Sequence, residues 1–242
     1  MSGKVIMNRV AVVQKIIDNK KAKTYLEIGV LAGDTFLRIK IRNKWGVDPN
    51  FEIEPLKKFR YYFKNPFNIF SEYFNMNSDT FFAKEDARLA GCGVDVALID
   101  GLHTFAQSLK DVKNTLKYLN KNGVIILHDC NPLSEAAAIP AKSISEVQKM
   151  NPPDFTGVWN GDVWKTIFYL RSTRKDLRVF VLDCDFGLGI ITRETPENML
   201  KYSAEEIRNI SYHDLSKDRQ SLLNLKGVSY FKEFLKRMKS NI

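Results

Sequence analysis

Residues 94–103 read Val94-Asp95-Val96-Ala97-Leu98-Ile99-Asp100-Gly101-Leu102-His103. A short, nearly continuous apolar run that breaks into Asp-Gly predicts a strand buried on both faces, with polar side chains at its end. Downstream, residues 105–119 carry Phe105, Leu109, Val112, Leu116 and Leu119 at helical spacing. Asn122-Gly123 is expected to stop that helix, and residues 124–127 to form a second apolar strand running into His128-Asp129. Upstream, Thr24–Ile28 predicts a strand that ends in the glycine loop Glu27-Ile28-Gly29-Val30-Leu31-Ala32-Gly33, with residues 35–42 as the following helix. Residues 45–47 predict a short strand ending at Asp48, residues 54–64 a helix, residues 68–74 a weaker strand and residues 79–89 another helix. Strands alternating with helices predict an α/β fold whose sheet is mostly parallel and covered on both faces.

The pattern changes after Pro132. Residues 133–162 are punctuated by Pro and Gly and give no clear assignment, and residues 163–170 read as a helix. Arg178–Leu182 and Leu188–Thr192 are β-rich runs joined by Asp183, Cys184, Asp185, Phe186 and Gly187, which predicts a hairpin. Residues 195–242 read as appended helices, so one domain over 1–242 with a core at about 20–195 is expected.

Composition narrows the function classes. With 44% hydrophobic and 27% charged residues, the chain reads as a globular domain. No apolar run approaches the roughly 18 residues of a membrane span, which argues against a membrane partner. The charged N-terminus lacks the apolar core of a signal peptide, so a cytoplasmic location is expected. Cys92, Cys130 and Cys184 form no paired spacing, which argues against a disulfide framework or a structural zinc. The net charge of +9 raises nucleic acid as a partner, but the cations are spread. Lys232, Lys236, Arg237 and Lys239 read as the solvated face of a helix whose other face is Phe231, Phe234, Leu235 and Met238. No zinc-finger or RNP-like pattern accompanies them, which argues against nucleic acid.

The polar residues past the strands carry the chemistry. Gly29 and Gly33 allow a sharp turn and close approach to a ligand. Asp48 at a strand end can accept hydrogen bonds from ribose hydroxyls. Asp100, His103, His128 and Asp129 fall on one rim. Two of the chain's three histidines are there. Imidazole is a general base near neutral pH, and a carboxylate can orient it or bind a cation.

Taken in order, LEIGVLAGDTF, GVDP, NSDTFF, VDVALIDGLHTFAQSLKDV and NKNGVIILHDCNP resemble the class I S-adenosylmethionine (SAM)-dependent methyltransferases. The likeness is to the small-molecule O-methyltransferase branch with IDGxH and HD motifs, over about residues 20–195. It implies a Rossmann-like three-layer sandwich with a seven-stranded sheet ending in the antiparallel hairpin. It implies that Glu27, Gly29 and Gly33 form the SAM loop, that Asp48 holds the ribose, and that Ser78 and Asp79 lie beside the adenine. Asp100 is implied near the SAM amino acid or the reacting methyl, and His103 at the catalytic base of sugar O-methyltransferases. Asp100 and Asp129 match carboxylates that bind a divalent cation such as Mg²⁺ in metal-dependent relatives. His128 as a third ligand would favour Mn²⁺ or Fe²⁺. Cys130 departs from the Asn of catechol-type relatives, and His128 from the acid of sugar-type relatives.

The expected activity is methyl transfer from SAM to a sugar or other small polar metabolite, with His103, Asp100 and Asp129 as catalytic groups. A homo-oligomer is compatible with this. Trp159 and Trp164 are expected to stack on a sugar face, and Asp162 to bond its hydroxyls. The competing classes are a Rossmann-type oxidoreductase, a non-catalytic protein that keeps the fold, and an RNA methyltransferase. The glycine spacing is wider than GxGxxG, which argues against the first.

Overall fold

The computed structural model describes residues 7–240. Within them one sheet is formed by β1 (Thr24–Ile28), β2 (Asn43–Asp48), β3 (Glu72–Asn75), β4 (Val94–Ile99), β5 (Leu119–Leu127), β6 (Arg178–Leu182), β7 (Leu188–Thr192) and β8 (Leu225–Lys226). The spatial order is β3-β2-β1-β4-β5-β7-β6-β8. Strands β1 to β5 pair in parallel, β7 runs antiparallel to both β5 and β6, and β8 is parallel to β6. The expected parallel sheet with a terminal hairpin is therefore present. An eighth strand is added by the segment expected to be purely helical.

The helices are α1 (Arg9–Lys20), α2 (Pro55–Lys64), α3 (Ser78–Lys84), α4 (Asp86–Cys92), α5 (Phe105–Tyr118), α6 (Ile144–Met150), α7 (Trp164–Thr173), α8 (Ala204–Asn209), α9 (Tyr212–Lys217), α10 (Arg219–Leu222) and α11 (Tyr230–Ser240). Alternate strand residues feed two cores, one on each face of the sheet. Leu26, Ala97, Ile99, Ile125 and Leu127 pack with Phe81, Leu89, Val112 and Phe168 of α3, α4, α5 and α7. Tyr25, Val96, Leu98, Val124 and Ile126 pack with Val12 and Ile16 of α1 and Phe231, Phe234 and Met238 of α11. The C-terminal apolar face is thus buried as its spacing predicts.

Residues 35–42 do not form the expected helix but a series of turns and extended chain. Thr35 O accepts from Arg38 N and Ile39 N, but the carbonyls of Phe36, Leu37 and Ile39 bond to side chains and the helical ladder stops there. Lys44, fully buried, donates from Nζ to Phe36 O (2.7 Å), Ile39 O (3.0 Å) and Asn68 Oδ1 (2.5 Å). Asn65 Nδ2 donates to Leu37 O and Ile39 O, and Asn68 Nδ2 to Leu37 O. Phe36, Leu37, Ile39 and Ile41 are buried while Arg38, Lys40 and Arg42 are exposed, a near-alternation that does not match the face of an amphipathic helix.

Other boundaries shift for local reasons. Residues 68–74 divide into a 3₁₀ turn, Pro66–Phe70, and β3. Residues 79–89 divide at Glu85 into α3 and α4. Asn122-Gly123 lies inside β5, because the helix already ends at Tyr118. The β4–β5 register shifts between Val94 and Val96, and there Asn120 Nδ2 donates to Asp95 Oδ1 at 2.7 Å. A side chain at Gly123 would run into Leu119, so glycine admits the bulge rather than ending a helix.

Lys44→Met should leave Phe36 O and Asn68 Oδ1 unpaired, Ile39 O keeping its bond from Asn65, and cost about 3 kcal/mol. Urea unfolding is the check, and an unchanged midpoint would remove Lys44 as the anchor of residues 35–42.

Candidate active site

Strands β1 and β4 are neighbours, but the chain leaves them toward opposite edges of the sheet. This topology opens a crevice beyond their carboxyl ends. Two clefts meet there. The first, of about 520 Å³, is lined by Gly29, Asp48, Ser78, Asp79, Asp100 and Asp111 among others. The second, of about 360 Å³, is lined by Arg9, Glu27, His128, Asp129, Trp159 and Asn160 among others. Gly29, Leu31, Asp100 and His103 border both.

The glycine loop is held by contact, not by a following helix. Gly29 has φ +87°, and a Cβ there would overlap the Asp100 carbonyl. Asp48, at the end of β2, accepts from Leu31 N at 2.8 Å through Oδ2 and from Asn50 N at 2.8 Å through Oδ1. It thereby pins Leu31 at φ 44°, a left-handed conformation unfavourable for leucine. Gly33 borders neither cleft. Its N–H closes a turn onto Val30 O at 2.8 Å. Ser78 and Asp79 sit at the start of α3 on the wall of the first cleft, tied to α5 by Gln107 Nε2 and Lys110 Nζ. Gln107 also donates to Asp111 Oδ1 at 3.0 Å. Burial pushes the Asp111 carboxyl up to about 6, against the hydrogen bonds from Ser78 and Gln107.

A charged cluster fills the floor of the second cleft. His103 Nδ1 lies 3.2 Å from Asp129 Oδ2, and its Nε2 lies 3.7 Å from Asp100 Oδ1. The ring stacks on Trp159 at 5.0 Å between centroids, with Nδ1 3.2 Å from the Trp159 carbonyl. His128 Nδ1 lies 3.0 Å from Asp100 Oδ1 and 3.1 Å from Asp129 Oδ2. Arg9, at the start of α1, places Nη1 2.6 Å from His128 Nε2 and 3.7 Å from Asp100 Oδ2. A lone pair on Nε2 to receive Arg9 leaves the His128 proton on Nδ1, between two carboxylates. Asp185, from the β6–β7 turn, accepts from Arg9 N at 2.7 Å.

The electrostatics follow from crowding. Burial opposes ionisation of Asp100, but His128, His103 and Arg9 outweigh it and hold the carboxyl far below its usual range. Burial opposes charge on His103, but Asp100 and Asp129 outweigh it and raise its pKa above 6.5. The same contest raises His128, through Asp100, Asp129 and Asp185.

The site residues named from sequence thus converge, except Gly33. Glu27 borders the second cleft and not the first. Arg9 and Asp185 escaped the sequence reading, because an arginine opening a helix and an aspartate in a hairpin turn each have an ordinary structural explanation. Trp164 and Asp162 are not free to bind a sugar. Trp164 is 1% exposed in the core, and Asp162 Oδ1 accepts from Phe105 N at the start of α5. Cys130 is buried and donates to Leu127 O, so it faces the core and not the cluster.

A divalent cation was tested against this donor set. Ligand atoms of Asp100, His103 and Asp129 lie within 4.8 Å of one another. Each carboxylate oxygen is nevertheless already opposed by a donor. Asp100 Oδ1 faces both imidazoles, and Asp100 Oδ2 faces Arg9. Asp129 Oδ1 accepts from Asn160 Nδ2 at 2.5 Å, and Asp129 Oδ2 faces both imidazoles. His128 spends one nitrogen on the carboxylates and the other on Arg9. The set does not fit a resident metal, because the Arg9 guanidinium and the two imidazole rings already face those carboxylate oxygens.

Glu27 is a second buried acid, accepting from Tyr25 OH at 2.5 Å. Burial raises its carboxyl from 4.5 to about 8. The fold favours the protonated form. That stabilisation is complete below the unfolded pKa and is lost as pH rises through about 8. Glu27→Gln should remove this component, so the thermal midpoint of the wild type should fall more steeply through that window than that of the variant. Parallel curves would show that Glu27 is ionised in the fold.

Residues 26–130 match the sequence profile of a family described as a methyltransferase domain. No curated protein matches the chain. Among solved structures, an assigned O-methyltransferase from Klebsiella pneumoniae aligns with TM-score 0.54 at 12% identity, covering 81% of this chain and 84% of that one. A protein from Staphylococcus aureus assigned as a caffeoyl-CoA O-methyltransferase aligns with TM-score 0.51 at 16% identity, covering 78% and 85%. Cofactor-bound Rv0187 from MTB aligns with TM-score 0.51 at 12% identity, covering 79% and 83%. At these identities the likeness establishes the fold, which joins the profile match on one crevice. The chain therefore carries a methyltransferase domain across residues 26–130, on the fold of the class I SAM-dependent enzymes.

Proposed function

We propose that the chain moves the methyl group of SAM to a hydroxyl oxygen of a sugar or similar small polar metabolite, with His103 as the base. The observation that carries this reading is that the two clefts share a wall made of Asp100 and His103. A donor in the first cleft and an acceptor in the second would meet at that wall. SAM supplies an electrophilic carbon on a good leaving group.

Each residue then has a limited task. Gly29 lets the donor approach the backbone closely. Asp48 has lone pairs left for ribose hydroxyls after bonding Leu31 and Asn50, and Ser78 and Asp79 border the adenine side. Holding donor and acceptor in line supplies much of the rate, since proximity lowers the barrier by several kcal/mol. His103 takes the hydroxyl proton as the O–C bond forms and the C–S bond breaks, and S-adenosylhomocysteine (SAH) leaves. Asp100 and Asp129 stabilise the imidazolium that results. Arg9, Asp34, Thr35 and Asn160 give the second cleft polar groups for the hydroxyls of an acceptor, beside apolar Val30, Ile144, Val158 and Phe186 that can cover its carbon skeleton. The indole of Trp159 orients His103.

His103→Ala should keep SAH binding by calorimetry and lose about 10²–10⁴-fold in turnover. Retained turnover would remove His103 as base. The active form is the neutral imidazole, whose pKa stands above 6.5, so the rate should rise with pH through that raised value. Asp129→Asn should move this limb to lower pH by weakening one source of the shift.

The charge balance predicts that EDTA leaves the rate unchanged. A rate that collapses with EDTA and returns with Mg²⁺ or Mn²⁺ would mean that the cation displaces Arg9.

A further inference from the structure

Helix α2 is built inside out. No residue of it is buried, and the side turned to the body of the protein is polar. Lys57 Nζ donates to Ala32 O and Asp34 Oδ1, both at 2.7 Å. Lys58 lies 4.0 Å over the Tyr73 ring, and Tyr61 accepts from Arg38 Nε at 3.1 Å. The outward side is apolar. Leu56, Phe59 and Phe63 are 60%, 58% and 74% exposed, and the adjoining turn adds Phe67, Ile69 and Phe70 at 43%, 68% and 47%. Six large exposed apolar side chains within a stretch of 15 residues form a patch that water does not stabilise.

The charge on the helix and turn has one sign, with the carboxylates of Glu54 and Glu72 standing just beyond its two ends. Arg60 and Lys64 are exposed on the helix, and exposed Arg42 holds its guanidinium 4.4 Å over the Phe70 ring. Residues 55–70 contain four Lys or Arg and no Asp or Glu. Aromatic and aliphatic side chains at one level, ringed by Lys and Arg, are what an in-plane helix presents to acyl chains and anionic headgroups. A contact between two copies would bury like against like, with cations on each side and no carboxylate on the helix to meet them.

We propose that the outer face of α2 and the 66–70 turn docks this protein on an anionic lipid surface. No spanning helix is needed. Among the described residues no helix is long and apolar enough to cross a membrane, and the sequence argument against a membrane partner addressed only spanning. Docking would also orient the site. Lys57, on the inner side of α2, ties the helix to Ala32 and Asp34, which line the second cleft, so the docked helix is linked directly to that cleft.

The contact does not rest on the reading of the reaction, and the two fail separately, because SAH calorimetry reports on the clefts and sedimentation on the face. The full chain is sedimented with vesicles of phosphatidylcholine alone and of phosphatidylcholine with an equal part of phosphatidylglycerol. Binding is expected to the anionic vesicles only, and to weaken with salt. Phe59→Ser with Phe63→Ser should weaken it at least about tenfold while SAH binding is kept. Arg60→Glu and Lys64→Glu should each weaken it about fivefold or more. The proposal is overturned by no binding to anionic vesicles, by binding that survives the phenylalanine substitutions, or by a concentration-dependent dimer in sedimentation velocity that those substitutions dissociate.

Discussion

Three carboxylates crowded beyond one edge of a sheet repel one another unless positive charge joins them. In this protein Asp100, Asp129 and Asp185 are joined by Arg9, His103 and His128, with no pair farther apart than 3.8 Å among the contacts that hold the cluster. The six residues come from α1, β4 and its loop, the end of β5, and the hairpin turn. Closing the charge balance therefore brings four distant parts of the chain to one place. In a partly dry site each pairing is stronger than it would be in water, and each unpaired member would be costly. The same crowding tunes the chemistry, since carboxylates that neutralise the imidazoles also raise their affinity for protons.

Backbone strain accompanies that convergence. Asp129, Asp185 and Phe186 all have positive φ, as does Leu31 in the glycine loop. Left-handed conformations cost non-glycine residues of order 1 kcal/mol each, and persist where surrounding contacts overdetermine them. Those contacts are visible. Cys130 N and Asn131 N donate to Gly187 O and Phe186 O, so the segment after β5 and the hairpin turn hold each other. Asp48 holds Leu31. The methyltransferase crevice is preorganised by neighbours that clamp its loops.

Much of this is legible in the sequence. Apolar runs announced β4 and the end of β5, because strands buried on both faces admit little else, and β1 was announced by the glycine loop it runs into. The polar residues that follow those runs had to share a rim, which placed Asp48, Asp100, His103, His128 and Asp129 together. Local pattern failed where a partner distant in sequence supplied the hydrogen bonds. Residues 35–42 carry helix-compatible residues, yet Lys44, Asn65 and Asn68 take the carbonyls of Phe36, Leu37 and Ile39. Gly123 looked like a helix stop and instead relieves a bulge, a role visible only beside Leu119 and the register of β4. Asp162 and Trp164 looked like acceptor contacts but are a helix cap and a core residue.

The amino-acid order by itself determined the alternation of strand and helix, the parallel sheet with its closing hairpin, and which polar groups stand at the strand ends. The physical reason is that burial and periodicity are local in sequence. Only the tertiary structure decided that Arg9 and Asp185 complete the cluster, that the site's positive charge comes from side chains, and that α2 turns its phenylalanines outward. Those facts depend on which segments meet in space, and on electrostatics and packing between residues separated by from about twenty to more than a hundred positions.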